Sequence, residues 1–245
     1  MLGMGANLDL PTVLLIDDDM VSREVMATIL TMSGYALHTA ADGAAALQIL
    51  DKGQCLPQVI LMDAQMPGLS GLLLVEQLRT RTSARVYAIS GSSTPADLLA
   101  AVDGFLLKPF GPQALQELLE KNAPVPAAPA PEPDEPVVNP QTLAQFRQMM
   151  PESMVREIYT AVTTDLEKRT AALESALARG DSAEIHRIGH AIKGGCGMAG
   201  ALQAARLGAR LESGSDQLDN CTAVLSDLRD AVHNLESMLK LEFLA

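Results

Sequence analysis

The sequence contains no tryptophan, few aromatic residues and little positive charge. Eighteen lysine and arginine residues stand against thirty aspartate and glutamate residues, and the net charge of −12 argues against a nucleic-acid-binding surface. Three widely separated cysteines, Cys55, Cys196 and Cys221, predict reduced thiols rather than a disulfide framework. Met1–Leu10 has no signal-peptide pattern, and no run of about 20 apolar residues predicts membrane insertion. Together these absences predict a cytoplasmic protein.

Length and proline content divide the chain. The 245 residues suit two domains of ordinary size. Prolines recur among alanine, valine and acidic residues between residues 123 and 139, and such a composition favours an extended linker that spans roughly 50 Å. We therefore predict four parts: an N-terminal extension over residues 1–10, a first domain over 11–122, a linker over 123–139 and a second domain over 140–245.

Short apolar runs alternate with helical patterns in the first domain. The predicted strands are Val13–Ile16, Tyr35–Thr39, Val59–Met62, Val86–Ile89 and Phe105–Leu107. The predicted helices are Val21–Met32, Ala44–Lys52, Gly71–Arg79, Pro95–Val102 and Pro112–Asn122. This alternation predicts a parallel sheet that is covered on both faces. Ligands of such sheets bind beyond the carboxyl ends of the strands.

Polar side chains directly follow four of these strands: Asp17, Asp18, Asp63, Ser90 and Lys108. An aspartate after a strand is usually a turn former, but four strands that agree predict one shared crevice. Clustered carboxylates suit Mg²⁺, and one carboxylate can then attack phosphorus as a nucleophile. Asp63 is the best candidate nucleophile because it stands alone on its strand. Lys108 would pair with the resulting phosphate, and the Ser90 hydroxyl would donate a hydrogen bond to it.

These motifs resemble the receiver domain of response regulators. The matching segments are D-D at Asp17–Asp18, D-x-x-M-P at Asp63–Pro67, Ser90, and K-P-F at Lys108–Phe110. The resemblance covers nearly all of residues 11–122 and implies a flavodoxin-like, doubly wound (βα)5 fold.

The resemblance also implies a role for each matching residue. Asp63 would be the phosphoacceptor, and Asp18 would bind Mg²⁺ directly together with the main-chain carbonyl of Gln65. Asp17 would act on the metal through water. Lys108 and Ser90 would hold the phosphate. Phe105 stands where the family has its switch aromatic residue.

The second domain has no strand pattern. Its predicted helices are Gln141–Met149, Pro151–Arg179, Ser182–Cys196, Leu202–Gly214 and Gln217–Leu244. Long amphipathic helices with short connections predict an up-and-down four-helix bundle.

One stretch of the second domain, Glu184–Gly200, carries the chemistry. Three isoleucines at helical spacing predict its buried face, and the other face presents His190 with Lys193 three residues later. An exposed imidazole is a nucleophile, a nearby ammonium stabilises an anion, and the following glycines leave room for a bulky partner. We predict a histidine that carries a phosphoryl group, the alternative being an ordinary surface histidine. His186 has metal-pair spacing to His190 but lacks a third ligand.

The sequence H-x-x-K-G at His190–Gly194 resembles the signature of the histidine-containing phosphotransfer (HPt) domain. The resemblance covers residues 140–245, with Leu207 and Glu212 where the family often has leucine and glutamate. It implies that His190 is the phosphoacceptor and that Lys193 lies beside the phosphate.

The two resemblances together predict a two-component phosphorelay protein. Nothing resembles the ATP-binding half of a histidine kinase, so we expect a phosphocarrier and not an enzyme. A sensor histidine kinase would supply the phosphoryl group, and a downstream response-regulator receiver would accept it. The family uses a receiver face near residues 95–110 for dimerisation, which leaves a homodimer open. The alternatives are the C-terminal part of a hybrid sensor kinase, a phosphorylation-switched adaptor, and a phosphate sink.

Overall fold

The computed structural model describes residues 11–90, 96–107, 114, 117, 118 and 136–243. Lys108 and most of the predicted helix Pro112–Asn122 lie outside the described residues. Among the helices described, none is both long and apolar enough to cross a bilayer.

The N-terminal part is an α/β domain built on one parallel sheet. Its strands are β1 (Val13–Ile16), β2 (Leu37–Ala40), β3 (Val59–Asp63), β4 (Arg85–Ser90) and β5 (Gly104–Leu107). Their order in the sheet is β2-β1-β3-β4-β5, and all four pairings are parallel. The helices described here are α1 (Met20–Met32), α2 (Gly43–Asp51), α3 (Gly71–Arg79) and α4 (Ala96–Ala101). The predicted flavodoxin-like fold is confirmed.

Strand β1 shows how the sheet is buried on both faces. Its side chains alternate, so Val13 and Leu15 join one apolar cluster, in which Val25 and Ile29 of α1 also lie. Leu14 and Ile16 join the opposite cluster, which contains residues of α2 and α3. Continuous apolar runs are typical of strands that are covered on both sides.

The second strand begins later than predicted. Gly34 has a φ of 89°, and the Tyr35 N–H donates to the carbonyl of Leu30 at 3.1 Å. This closes the C-terminus of α1, so Tyr35 still belongs to the helix exit. The strand therefore starts at Leu37 and not at Tyr35.

The C-terminal part is helical, as predicted. Its helices are α5 (Pro140–Met149), α6 (Glu152–Arg179), α7 (Ser182–Met198), α8 (Leu202–Gly214) and α9 (Leu218–Phe243). Helices α6 to α9 are connected by short turns and pack as a bundle around Tyr159, Leu166, Ile192, Leu211 and Leu228, all nearly fully buried. Just before α5, the Asn139 N–H donates to the carbonyl of Gly200 at 2.8 Å, which attaches the start of this region to the bundle.

Helix α7 continues two residues beyond its predicted end at Cys196. Gly194, Gly195 and Gly197 remain helical, and the helix ends at Met198, with Ala199 as its C-cap followed by Gly200, whose φ is 71°. The Ala201 N–H donates to the Cys196 carbonyl at 2.8 Å and completes the cap. The glycine that stops the helix is the one with a left-handed backbone, because a glycine with helical angles only weakens a helix.

Helices α7 and α8 approach each other through two glycines. A Cβ on Gly189 of α7 would lie 2.5 Å from the Glu212 nitrogen. A Cβ on Gly208 of α8 would lie 2.4 Å from the main-chain nitrogen of Lys193. Backbone therefore packs on backbone at this crossing, and the side chain of Glu212 reaches the polar face of α7.

Candidate functional site

The three predicted metal-binding aspartates lie together at the carboxyl edge of the sheet. Asp17 and Asp18 follow β1, and Asp63 is the last residue of the neighbouring strand β3. Ile16 pairs with Met62, so the two strands end side by side. One carboxylate oxygen from each residue lies within 4.8 Å of the others. Asp17 and Asp63 are buried, and Asp18 is exposed.

Local hydrogen bonds orient the two buried carboxylates. The Ser22 hydroxyl donates to Asp17 Oδ2 at 2.7 Å, and the Asp19 N–H donates to Asp17 Oδ1 at 2.9 Å. The Gln65 N–H donates to Asp63 Oδ1 at 2.9 Å. Residues of the loops after β1 and β3 and of the first turn of α1 thus fix the direction of both side chains.

The electrostatics of this cluster favour a cation. Partial desolvation of its carboxylate and the neighbouring charges of Asp17 and Asp63 raise the pKa of Asp18 above its ordinary value, although the residue as a whole is exposed. Three carboxylates in so small a space repel one another, and a hard divalent ion with oxygen ligands relieves that repulsion. The residues present therefore fit Mg²⁺.

The other residues predicted for this edge have different outcomes. Ser90 is the last residue of β4 and is buried, one position beyond Ile89, which pairs with Asp63. Phe105 lies in β5 beside Ala88 of β4, and its switch role stays a prediction. Lys108 lies outside the described residues.

The second predicted site is organised around Glu212 of α8. The Nδ1 of His190 lies 2.8 Å from Glu212 Oε1, within hydrogen-bond distance, and the Nζ of Lys193 donates to Glu212 Oε2 at 2.9 Å. The side chains of His190 and Lys193 are about one-fifth exposed, and that of Glu212 is 12% exposed. Lys193 thus pairs with a carboxylate within its own domain.

The charge state of Glu212 determines the tautomer of His190. Burial alone would raise the pKa of Glu212, but hydrogen bonds from His190 and Lys193 outweigh it and lower the pKa from 4.5 to about 2. A carboxylate can only accept hydrogen bonds, so Nδ1 of His190 carries the hydrogen. The lone pair of the neutral ring therefore lies on Nε2, which is the nucleophilic nitrogen.

His186 is held by the same residue in another way. Its Nδ1 donates to the main-chain carbonyl of Glu212 at 2.8 Å. Of the part of the chain described, only the cluster of Asp17, Asp18 and Asp63 groups three potential metal ligands, and His186 is not in it.

Asp63 and His190 line one cavity between the α/β domain and the bundle. This cavity has a volume of about 630 Å³, and its walls include Asp18, Asp63 and Gln65 on one side and His186 and His190 on the other. Helix α1 lies against α6 and α7, so the carboxyl edge of the sheet is turned toward the histidine helix.

The sequence points to Glu212 only by resemblance, and the run of Asp17, Asp18 and Asp19 predicts a nearby cation without identifying Arg169. Arg169 Nη2 of α6 donates to Asp19 Oδ2 at 2.6 Å, at the edge of the cavity. Two residues that are 150 positions apart leave no local pattern. The D-D-D run at 17–19 was the available signal, since three adjacent carboxylates require cationic neighbours.

Comparisons with known proteins agree with both parts of the chain. Residues 13–120 match the family model of the response regulator receiver domain. Residues 157–238 match the family model of the Hpt domain.

Curated relatives match the α/β domain. The aerobic respiration control protein ArcA of Escherichia coli is 30% identical over 109 residues, which are 43% of this chain and 45% of ArcA. The response regulator MprA of a Mycobacterium species is 34% identical over 114 residues, which are 44% of this chain and 47% of MprA. The chain thus spans less than half the length of these relatives.

Solved structures also match this domain. The chemotaxis protein CheY4 of Vibrio cholerae is 27% identical, with a TM-score of 0.41, and the match covers 46% of this chain and 99% of CheY4. The receiver domain of a NarL regulator from Mycobacterium tuberculosis is 31% identical, with a TM-score of 0.41, and covers 46% of this chain and 97% of that domain.

Proposed function

We propose that this two-component phosphorelay protein, a receiver domain followed by an Hpt domain, passes a phosphoryl group between Asp63 and His190 of the same chain. The observation that carries the proposal is that both residues line one cavity. The domain boundaries at residues 11–122 and 140–245, with a linker over 123–139, belong to the same proposal.

The transfer between the two residues balances without an added reactant. The Nε2 lone pair of His190 forms a bond to phosphorus while the bond from phosphorus to the Asp63 carboxylate oxygen breaks. The aspartate leaves as a carboxylate, and the imidazole ring gains positive charge. No proton has to leave Nε2, because the ring hydrogen is on Nδ1, where it remains hydrogen-bonded to the Glu212 carboxylate. The carboxylate of Glu212 then stabilises the charged ring.

The acidic cluster would hold Mg²⁺ through Asp18, Asp63 and the main-chain carbonyl of Gln65, with Asp17 acting through water. Both oxygens of Asp17 already accept hydrogen bonds from the protein, which supports the indirect role. The ion, when bound, supplies charge neutralisation for the phosphoryl oxygens. Ser90 and Lys108 would hold the same oxygens.

The chain would act as a phosphoacceptor and phosphocarrier without kinase activity of its own. Receiver and Hpt domains are modules of that kind. We propose that a sensor histidine kinase donates the phosphoryl group to Asp63 and that a downstream receiver accepts it from His190, all in the cytoplasm. A homodimer formed through the receiver belongs to this proposal as a further assembly.

Phosphotransfer with a radiolabelled small phosphodonor tests the proposal on the wild type, Asp63→Asn and His190→Gln. Phosphoaspartate is lost in base and phosphohistidine in acid, so the two labels can be told apart. We expect both labels on the wild type, only the base-labile label on His190→Gln, and neither on Asp63→Asn. The rate of label transfer to the histidine should not change with protein concentration, because the reaction is intramolecular. Histidine label on Asp63→Asn from the same donor would contradict the proposal.

A further inference from the structure

The contact between the two domains contains an ion pair that the transfer reaction itself does not use. Asp19 Oδ2 accepts from Arg169 Nη2 at 2.6 Å, and the two side chains are only 12% and 20% exposed. Asp19 is also the N-cap of α1, since its Oδ1 accepts from the Ser22 N–H at 2.8 Å. The ion pair therefore joins the first turn of α1 to the middle of α6.

Arg169 is shared between the domains. Its Nε donates to Asp165, one turn earlier on α6, while Nη2 reaches Asp19. Burial works to lower the pKa of Arg169, but the carboxylates of Asp19 and Asp165 outweigh it and raise the pKa. The guanidinium thus separates two half-buried carboxylates that would repel each other without it.

The histidine helix is shaped for the same approach. A Cβ on Gly195 of α7 would lie 3.3 Å from Asp19 Oδ1 and 3.5 Å from the Cβ of Val21. A larger residue would therefore push α1 away from α7. Gly195 belongs to the same helix as His190, and Asp19 lines the cavity together with His190, so α1 is held next to the phosphoacceptor.

We propose that Asp19 and Arg169 are positioning residues that hold the receiver on its own Hpt bundle, with Asp63 facing His190. This inference rests on the proposed function, because docking of the receiver on the bundle affects activity only if Asp63 and His190 exchange a phosphoryl group. The pair also discriminates between partners. A receiver that has no acidic residue at the position of Asp19 leaves Arg169 without its partner in the other domain. In a bundle without Arg169, the carboxylates of Asp165 and Asp19 repel each other.

The test measures docking in the full chain without phosphate. Cysteines that replace the exposed residues Leu56 and Leu241 carry spin labels, while the three native cysteines are buried. Distance distributions between the labels give the ratio of docked to undocked chains. Asp19→Asn keeps an N-cap and removes only the charge, and Arg169→Gln removes the partner.

We expect each single variant to lower the docked-to-undocked ratio about tenfold, in the middle of the range for coupled charge pairs. The double variant should be no lower than the singles, because both remove the same interaction. Arg229→Gln is the matched control, since it breaks an exposed ion pair to Glu174 that lies within the bundle and should leave the ratio unchanged. A ratio within twofold of the wild type in either single variant, or an additive double variant, would overturn the proposal.

The intramolecular transfer rate is then measured on the same variants. It should fall in proportion to the docked fraction, and Arg169→Lys, which keeps the charge, should recover part of it. If the variants lose docking but the wild type shows no transfer, the docking role of the ion pair is supported and the proposed function is refuted. Normal transfer with unchanged docking in the variants would refute the ion pair alone.

Discussion

Replacing Glu212 by glutamine separates the charge of this residue from its shape. The glutamine side chain can still accept from Nδ1 of His190, so the tautomer of the ring is kept, but the negative charge is lost. Phosphoryl transfer to Nε2 makes the ring positive, and the Glu212 carboxylate lies 2.8 Å from Nδ1 of that ring. The charge therefore stabilises the product and the transition state that leads to it more than the free histidine.

The size of the effect follows from the type of hydrogen bond. Bonds to charged groups contribute about 1.5–3 kcal/mol, and neutral bonds about 0.5–1.5 kcal/mol. A difference of about 1.4 kcal/mol corresponds to about a tenfold lower rate. We therefore expect Glu212→Gln to slow the transfer from phosphorylated Asp63 to His190 about tenfold.

Rapid-quench measurement of the histidine label under single-turnover conditions checks this value. Glu174→Gln is the matched control, because it neutralises an exposed glutamate of α6 that pairs with Arg229. If Glu212→Gln transfers within twofold of the wild type while the fold is intact, the electrostatic role of Glu212 is refuted. Transfer to His190 should be slower in Glu212→Ala than in Glu212→Gln, because alanine also removes the hydrogen bond that orients the imidazole ring.

Three further predictions concern stability and metal binding. The folded-state pKa of Glu212 is about 2, below its ordinary 4.5, so its stabilising contribution is complete above pH 4.5 and is lost as pH falls toward 2. Urea unfolding should therefore show a steeper loss of stability between about pH 5 and pH 2.5 in the wild type than in Glu212→Gln, and parallel curves would contradict this. Gly208→Ala should lower the free energy of unfolding by about 1–3 kcal/mol in thermal denaturation, because its methyl group would lie 2.4 Å from the main-chain nitrogen of Lys193. Gly214→Ala, whose Cβ meets nothing within 4 Å, serves as control and should not destabilise. Asp18→Asn should weaken Mg²⁺ binding at least tenfold by calorimetry, since it removes one of three clustered carboxylates, and equal affinity would exclude Asp18 as a ligand.

The chemistry of the α/β domain could be predicted because it follows from strand order. Each polar residue comes directly after an apolar run, and parallel strands place their carboxyl ends at one edge. The convergence of Asp17 and Asp63 therefore needed only the strands that precede them. The boundaries that were wrong, at Tyr35 and Cys196, depended on which glycine adopts a left-handed backbone, and composition does not reveal this.

The network around His190 was less accessible to sequence reasoning. The pairing of His190 with Lys193 is a matter of spacing along one helix. Glu212 joins them from another helix, and it does so because Gly189 and Gly208 let two backbones meet. Such a contact depends on the crossing of two helices, which amphipathic patterns predict only as a buried face.

If Asp63 and His190 exchange a phosphoryl group as proposed, the cavity that they share also sets how much downstream receiver the relay requires. A second receiver has to reach the histidine while the tethered one occupies the same face, so the two compete for it. A tethered partner competes at an effective concentration that its linker sets, and this concentration is highest when the length of the linker matches the distance to be spanned. The downstream receiver must therefore bind more tightly or be more abundant than it would need to be for an isolated Hpt domain. On the proposed function, the interface gives the pathway a concentration threshold, below which the phosphoryl group stays within the chain that first received it.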